Sequence, residues 1–100
     1  MIYLFESELW IWDARKSDSW TFASLPEDAS DEIRDLTGDL PRGFGAVRVQ
    51  VALGGSTWRT SIFPDSKSGV YVLPLKRSVR KAEGVEAGDT VAIRIELDGV

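Results

Sequence analysis

Residues 47–63 read Val47-Arg48-Val49-Gln50-Val51-Ala52-Leu53-Gly54-Gly55-Ser56-Thr57-Trp58-Arg59-Thr60-Ser61-Ile62-Phe63, and this stretch decides the fold. Val47, Val49, Val51 and Leu53 alternate with Arg48 and Gln50, the period of a strand with one buried face. Gly54-Gly55 is placed to supply the positive φ angles of a tight hairpin turn. The return strand runs from Thr57 to Phe63, with Trp58, Thr60 and Ile62 on one side and Arg59, Ser61 and Phe63 on the other.

The same period recurs on both flanks. Tyr3, Phe5, Leu9 and Ile11 share one parity over residues 2–13, while Glu6, Glu8, Trp10 and Trp12 share the other, so one long first strand is expected. A turn at Lys16-Ser17-Asp18-Ser19 leads to a second strand, Trp20 to Ala23, that Leu25-Pro26 ends. Ser30 is placed to cap a short helix over 31–37, with Ile33, Leu36 and Leu40 on its apolar face, Gly38 as its stop and a Pro41-Arg42-Gly43 loop after it. Downstream come a polar loop from Pro64 to Ser68 and a strand over 70–73 ended by Pro74. A basic helix over 76–83 follows, with Val79 and Ala82 inward and Gly84 as its left-handed stop, and the last strand spans 91–97. The expected architecture is mainly β: a single domain over residues 1–100, forming a small closed or nearly closed six-stranded β-barrel with two short helices. Closure is the economical way to remove exposed strand edges at this length.

Composition narrows the chemistry. No histidine and no cysteine are present, which removes the usual near-neutral base, thiolate nucleophiles and zinc–thiolate sites. The acidic run Glu27, Asp28, Asp31, Glu32 lacks the spacing of a calcium loop, so neither metal nor cofactor is expected. No stretch approaches the roughly 18 apolar residues of a membrane span, and Glu6, Glu8 and Asp13 break the apolar start, so no membrane association and a cytoplasmic address are expected. The net charge of −4 is uneven: residues 1–50 carry 10 acids and 5 bases, residues 51–100 carry 6 acids and 7 bases. Lys67, Lys76, Arg77, Arg80 and Lys81 fall within 67–81 with no acid among them.

Taken together, these residues resemble a bacterial domain-of-unknown-function family, DUF1905. The resemblance rests on Trp20-Thr21-Phe22 with Leu25-Pro26, the run Trp58-Arg59-Thr60-Ser61-Ile62-Phe63-Pro64, the run Val72-Leu73-Pro74-Leu75-Lys76, then Val79-Arg80-Lys81-Ala82 and Gly88-Asp89. It implies a compact β-barrel, sometimes joined to a bacteriocin-protection-type domain, and brings no activity with it. Residues 70–98 alone also resemble the half-unit of AbrB-like swapped-hairpin DNA-binding proteins.

Three functions remain in view. The first is a non-enzymatic binding or interaction module, with Trp58, Arg59, Thr60, Ser61, Lys76 and Arg80 forming a cleft for an anionic small molecule or a peptide. The second is nucleic-acid binding through the basic helix, where Lys76 and Arg80, and Arg77 and Lys81, stand at i, i+4. The third is a hydrolase using Ser61 or Ser78 with Lys76, for which no surrounding motif is recognisable. Trp10, Trp12, Trp20 and Trp58 fit core filling first, with cleft lining or base stacking as the alternative; Trp10 and Trp12 are expected to be partly exposed.

Overall fold

The computed structural model describes residues 1–12, 20–37 and 45–98. Their elements in chain order are β1 (Ile2–Glu8), β2 (Trp10–Trp12), β3 (Trp20–Ser24), α1 (Glu27–Thr37), β4 (Val47–Leu53), β5 (Ser56–Pro64), β6 (Tyr71–Pro74), α2 (Arg77–Glu83) and β7 (Thr90–Leu97). The strands form one antiparallel sheet in the order β1-β7-β4-β5-β6-β3-β2, curled into a half-barrel.

The expected closed six-stranded barrel is therefore corrected to a seven-stranded half-barrel, and the difference lies at Leu9. Apolar alternation runs through residues 2–12 almost without interruption, so period alone sees one strand. At Leu9 the chain changes partners: Glu8 is opposite Thr90 on β7, whereas Trp10 is opposite Phe22 on β3. The Leu9 N–H donates to the Asp89 carbonyl at 2.8 Å, its carbonyl accepts from the Gly88 N–H at 2.8 Å, and its side chain is buried. Within the segment 2–12 no residue is paired on both sides, so the sheet's two edges belong to consecutive strands without closing on each other. Past the break, Ile11 is 52% exposed, although its parity predicts an inward place.

The 47–63 hairpin forms with Leu53 opposite Ser56 across a two-residue loop. Only Gly54 takes a positive φ, 59°, which a turn of the II′ kind asks of its first residue alone. Val47, Val49, Val51 and Ile62 are fully buried, and the core continues through Ile93, Ile95, Leu73 and Ala23. Residues that alternate in the sequence thus share one packed interior, the burial that drives the sheet to curl.

The first helix differs from expectation at its start, and the second lies where it is expected. α1 begins at Glu27, not residue 31, because the Pro26 carbonyl accepts the first helical bond from the Ser30 N–H at 2.9 Å. Ser30 is not a cap but a buried member of the inward stripe Ser30, Ile33, Thr37, and Leu36 faces out, 40% exposed. The Ser30 hydroxyl accepts a 3.0 Å hydrogen bond from the Tyr71 N–H, a use that spacing could not reveal. α2 ends as expected: Gly84 is left-handed, the Val85 N–H donates to the Arg80 carbonyl at 3.0 Å, and Val85 packs on the core. Val79 is buried as expected, whereas Ala82 is exposed. The expected turn at 16–19, the Gly38 stop, Leu40 and the 41–43 loop lie outside the described residues.

Candidate functional site

The sheet's outward face carries a valley over β6. Val72 and Pro74 make its floor, because β6 is a short strand with modest outward side chains. Phe63 at the end of β5 forms one wall, and Trp10, Trp12, Trp20 and Phe22 of β2 and β3 form the other. The hollow they enclose measures about 400 Å³, within the range of small-ligand sites.

Pairing register builds the aromatic wall. Trp10 stands opposite Phe22, and Trp12 opposite Trp20, so four rings project from one face of a two-stranded ribbon. Trp10 and Phe22 lie 5.1 Å apart at a 34° tilt, and Trp20 and Phe22 lie 6.3 Å apart, nearly parallel at 13°. The Trp10 Nε1–H donates to the Ser24 hydroxyl at 2.9 Å, fixing that ring's azimuth. Trp12 and Trp20 remain about half exposed, with their faces available to a ligand. The expectation that tryptophans mainly fill the core is thus corrected: Trp58 packs against the core, while the other three line the valley.

The valley's two ends carry opposite charge. At one end a second, more enclosed hollow of about 210 Å³ adjoins it through the shared Trp20 and Pro74, and is lined also by Trp58, Arg59, Thr60, Leu75 and Lys76. Among the described residues no carboxylate lies within ion-pair distance of Arg59 or Lys76. At the other end is Asp65, whose carboxylate accepts from the Ser68 hydroxyl at 2.7 Å and the Lys67 N–H at 3.3 Å. The Ser68 hydrogen bond foremost, with the backbone bonds and Lys67 adding to it, holds the Asp65 carboxyl below its ordinary value of 3.8, so it is an anion at neutral pH.

Of the six residues singled out from the sequence, Trp58, Arg59, Thr60 and Lys76 line one hollow. Ser61 and Arg80 do not. Ser61 pairs with Arg48 across the β4–β5 ladder. Arg80 donates from Nε to the Leu75 carbonyl at 3.2 Å and lines a separate hollow with Arg77, Lys81, Glu86 and Asp89. No hydrogen bond joins Lys76 to Ser61 or Ser78 among the described residues. Phe22, Phe63, Val72 and Pro74 were not singled out; the signal was shared outward parity, Trp20 with Phe22 and Arg59 with Phe63. Among the described residues no cluster of acids could hold a metal, and no helix is long and apolar enough to cross a membrane.

No curated protein matches the chain. The family model described as Domain of unknown function (DUF1905) matches residues 5–95, which carry β2 to β6 whole, parts of β1 and β7 and both walls of the valley, and the chain belongs to that family.

Proposed function

We propose that this domain is a non-enzymatic binding module whose ligand lies in the aromatic valley with an anionic group at Arg59 and Lys76. The observation that carries the reading is the junction of the two hollows at Trp20 and Pro74, which makes an apolar aromatic trough continuous with a cationic end. Stacking surfaces supply affinity for planar or apolar groups, and the two cations orient a carboxylate or phosphate. Trp12 and Trp20 are both about half exposed, Trp20 in the same hollow as these cations, and their exposure has a cost in solvation that a ligand would relieve.

Nucleic-acid binding through the 76–83 helix is less well supported. Arg77, Arg80 and Lys81 share their hollow with Glu86 and Asp89, and Arg80 is engaged with a backbone carbonyl. Local acids offset the phosphate attraction that such a surface would need.

Titration of tryptophan fluorescence with 4-phenylbutyrate, an apolar ring bearing a carboxylate, tests the proposal. A saturable change that Trp20→Ala abolishes and Lys76→Met weakens is the expected outcome. A response that survives both substitutions refutes the assignment of the site.

A further inference from the structure

The polarity of the valley specifies its ligand further, on the assumption that the binding reading above is right. Its floor offers almost no hydrogen bonding. Val72 is paired with both β5 and β3, Pro74 carries no N–H, and the Trp10 indole N–H is taken by Ser24. A sugar's hydroxyls would find few partners along this stretch, and the Watson–Crick edges of bases would be no better served. Polar recognition is confined to the ends: Arg59 and Lys76 at one, Asp65 at the other. A polyanion would place phosphates against Asp65 on a protein of net charge −4, which disfavours nucleic acid.

At about 3.3 Å per residue, extended chain from Val72 to Lys76 would run about 13 Å, room for roughly four residues of a ligand chain lying alongside it. We infer that the valley captures the C-terminal end of an extended polypeptide, with the chain's terminal carboxylate at Lys76 and Arg59, apolar side chains on Trp20 and Phe63, and a basic side chain toward Asp65. Charge complementarity sets the direction of the peptide. Reversal would put the carboxylate beside Asp65 and the basic side chain beside two cations. Because Val72 is paired on both sides and Pro74 has no N–H to donate, recognition runs through side chains and the chain terminus rather than by strand addition.

Calorimetric titration with the acetylated pentapeptide Lys-Leu-Phe-Val-Leu, as the free acid and as the C-terminal amide, tests this. The free acid is expected to bind about tenfold more tightly, the worth of a charge-assisted hydrogen bond. The Arg59→Gln, Lys76→Met double variant, altered only at exposed positions, should bring the ratio to about one, and Trp20→Ala should weaken both peptides. Equal affinity of acid and amide for the wild-type protein overturns the inference. So does binding of a short oligothymidylate with no binding of either peptide. If neither peptide binds while 4-phenylbutyrate still gives its Trp20-dependent signal, the peptide inference falls and the valley remains a binding site; if that signal is also missing, both fall.

Discussion

The indole N–H of Trp10 donates a 2.9 Å hydrogen bond to the Ser24 hydroxyl, two residues along β3 from the Phe22 ring against which Trp10 packs at 5.1 Å. One polar contact and one aromatic contact thus tie the short edge strand β2 to β3 and hold the valley's wall in shape. Ser24→Ala leaves a part-buried indole donor without its partner. The variant should lose about 1 kcal/mol of stability in urea unfolding.

Ser30 makes a parallel case inside the core. Its hydroxyl is the acceptor for the buried Tyr71 N–H at the start of β6. Ser30→Ala orphans that amide and should cost about 1–3 kcal/mol, read as a lowered urea midpoint. Because β6 carries the valley floor, the amide of Tyr71 should also lose protection in hydrogen exchange before the β4–β7 ladder does.

The two glycines of the β4–β5 turn should respond unequally. Gly54 has φ of 59°, and a Cβ there would run into the Glu83 carboxylate, which accepts from the Gly55 N–H at 3.2 Å and the Ser56 hydroxyl at 2.5 Å. Gly54→Ala therefore both strains the turn and displaces the strap from α2, a loss of about 1–3 kcal/mol. At Gly55 a Cβ meets nothing within 4 Å and φ is not positive, so Gly55→Ala should stay within about 0.5 kcal/mol of wild type.

High pH should weaken the contact between β1 and α1. The Tyr3 hydroxyl donates to Glu32 Oε1 at 2.7 Å, and desolvation, then this hydrogen bond and the Glu32 charge, push the phenol from 10.0 up to about 12. The folded state holds this proton more tightly than the unfolded chain. The associated stability is therefore whole below about pH 10 and is lost as pH rises through about 12. Tyr3→Phe should remove that part of the decline in thermal stability between these pH values.

What the sequence disclosed follows from which forces are local. Alternation at Val47–Leu53 and Val91–Leu97, the Gly84 stop and the Val85 contact depend on neighbours in the chain, and each is where its pattern places it. The partner switch at Leu9 depends on β7 and β3, residues distant in sequence, and alternation is blind to it. The start of α1 was missed because Pro26 supplies a backbone carbonyl, a signal weaker on paper than a serine followed by two acids. For the site, residues 58–60 and Lys76 were legible as chemistry, but the trough beside them was not. It arises from ladder register across β5, β6, β3 and β2, which brings Phe63 to face Trp20 and Phe22 over a floor of small residues. Ser61 and Arg80 were grouped with the site by nearness in sequence and helical spacing; Ser61 shares the outward parity of Arg59 and Phe63 yet lines neither hollow, and the Leu75 carbonyl holds Arg80 elsewhere.

Both the proposed function and the peptide inference rest on ligand binding in the aromatic valley with its cationic end. The most direct measurement is a two-dimensional ¹⁵N–¹H NMR titration that follows the indole N–H signals of all four tryptophans as 4-phenylbutyrate is added. Saturable shifts are expected at Trp12 and Trp20, with smaller ones at Trp10, whose N–H is held by Ser24, and loss of saturation in the Lys76→Met, Arg59→Gln variant. Indole signals that stay fixed while backbone amides of Arg77, Arg80 and Lys81 move would contradict binding in the valley and place it on the basic helix instead.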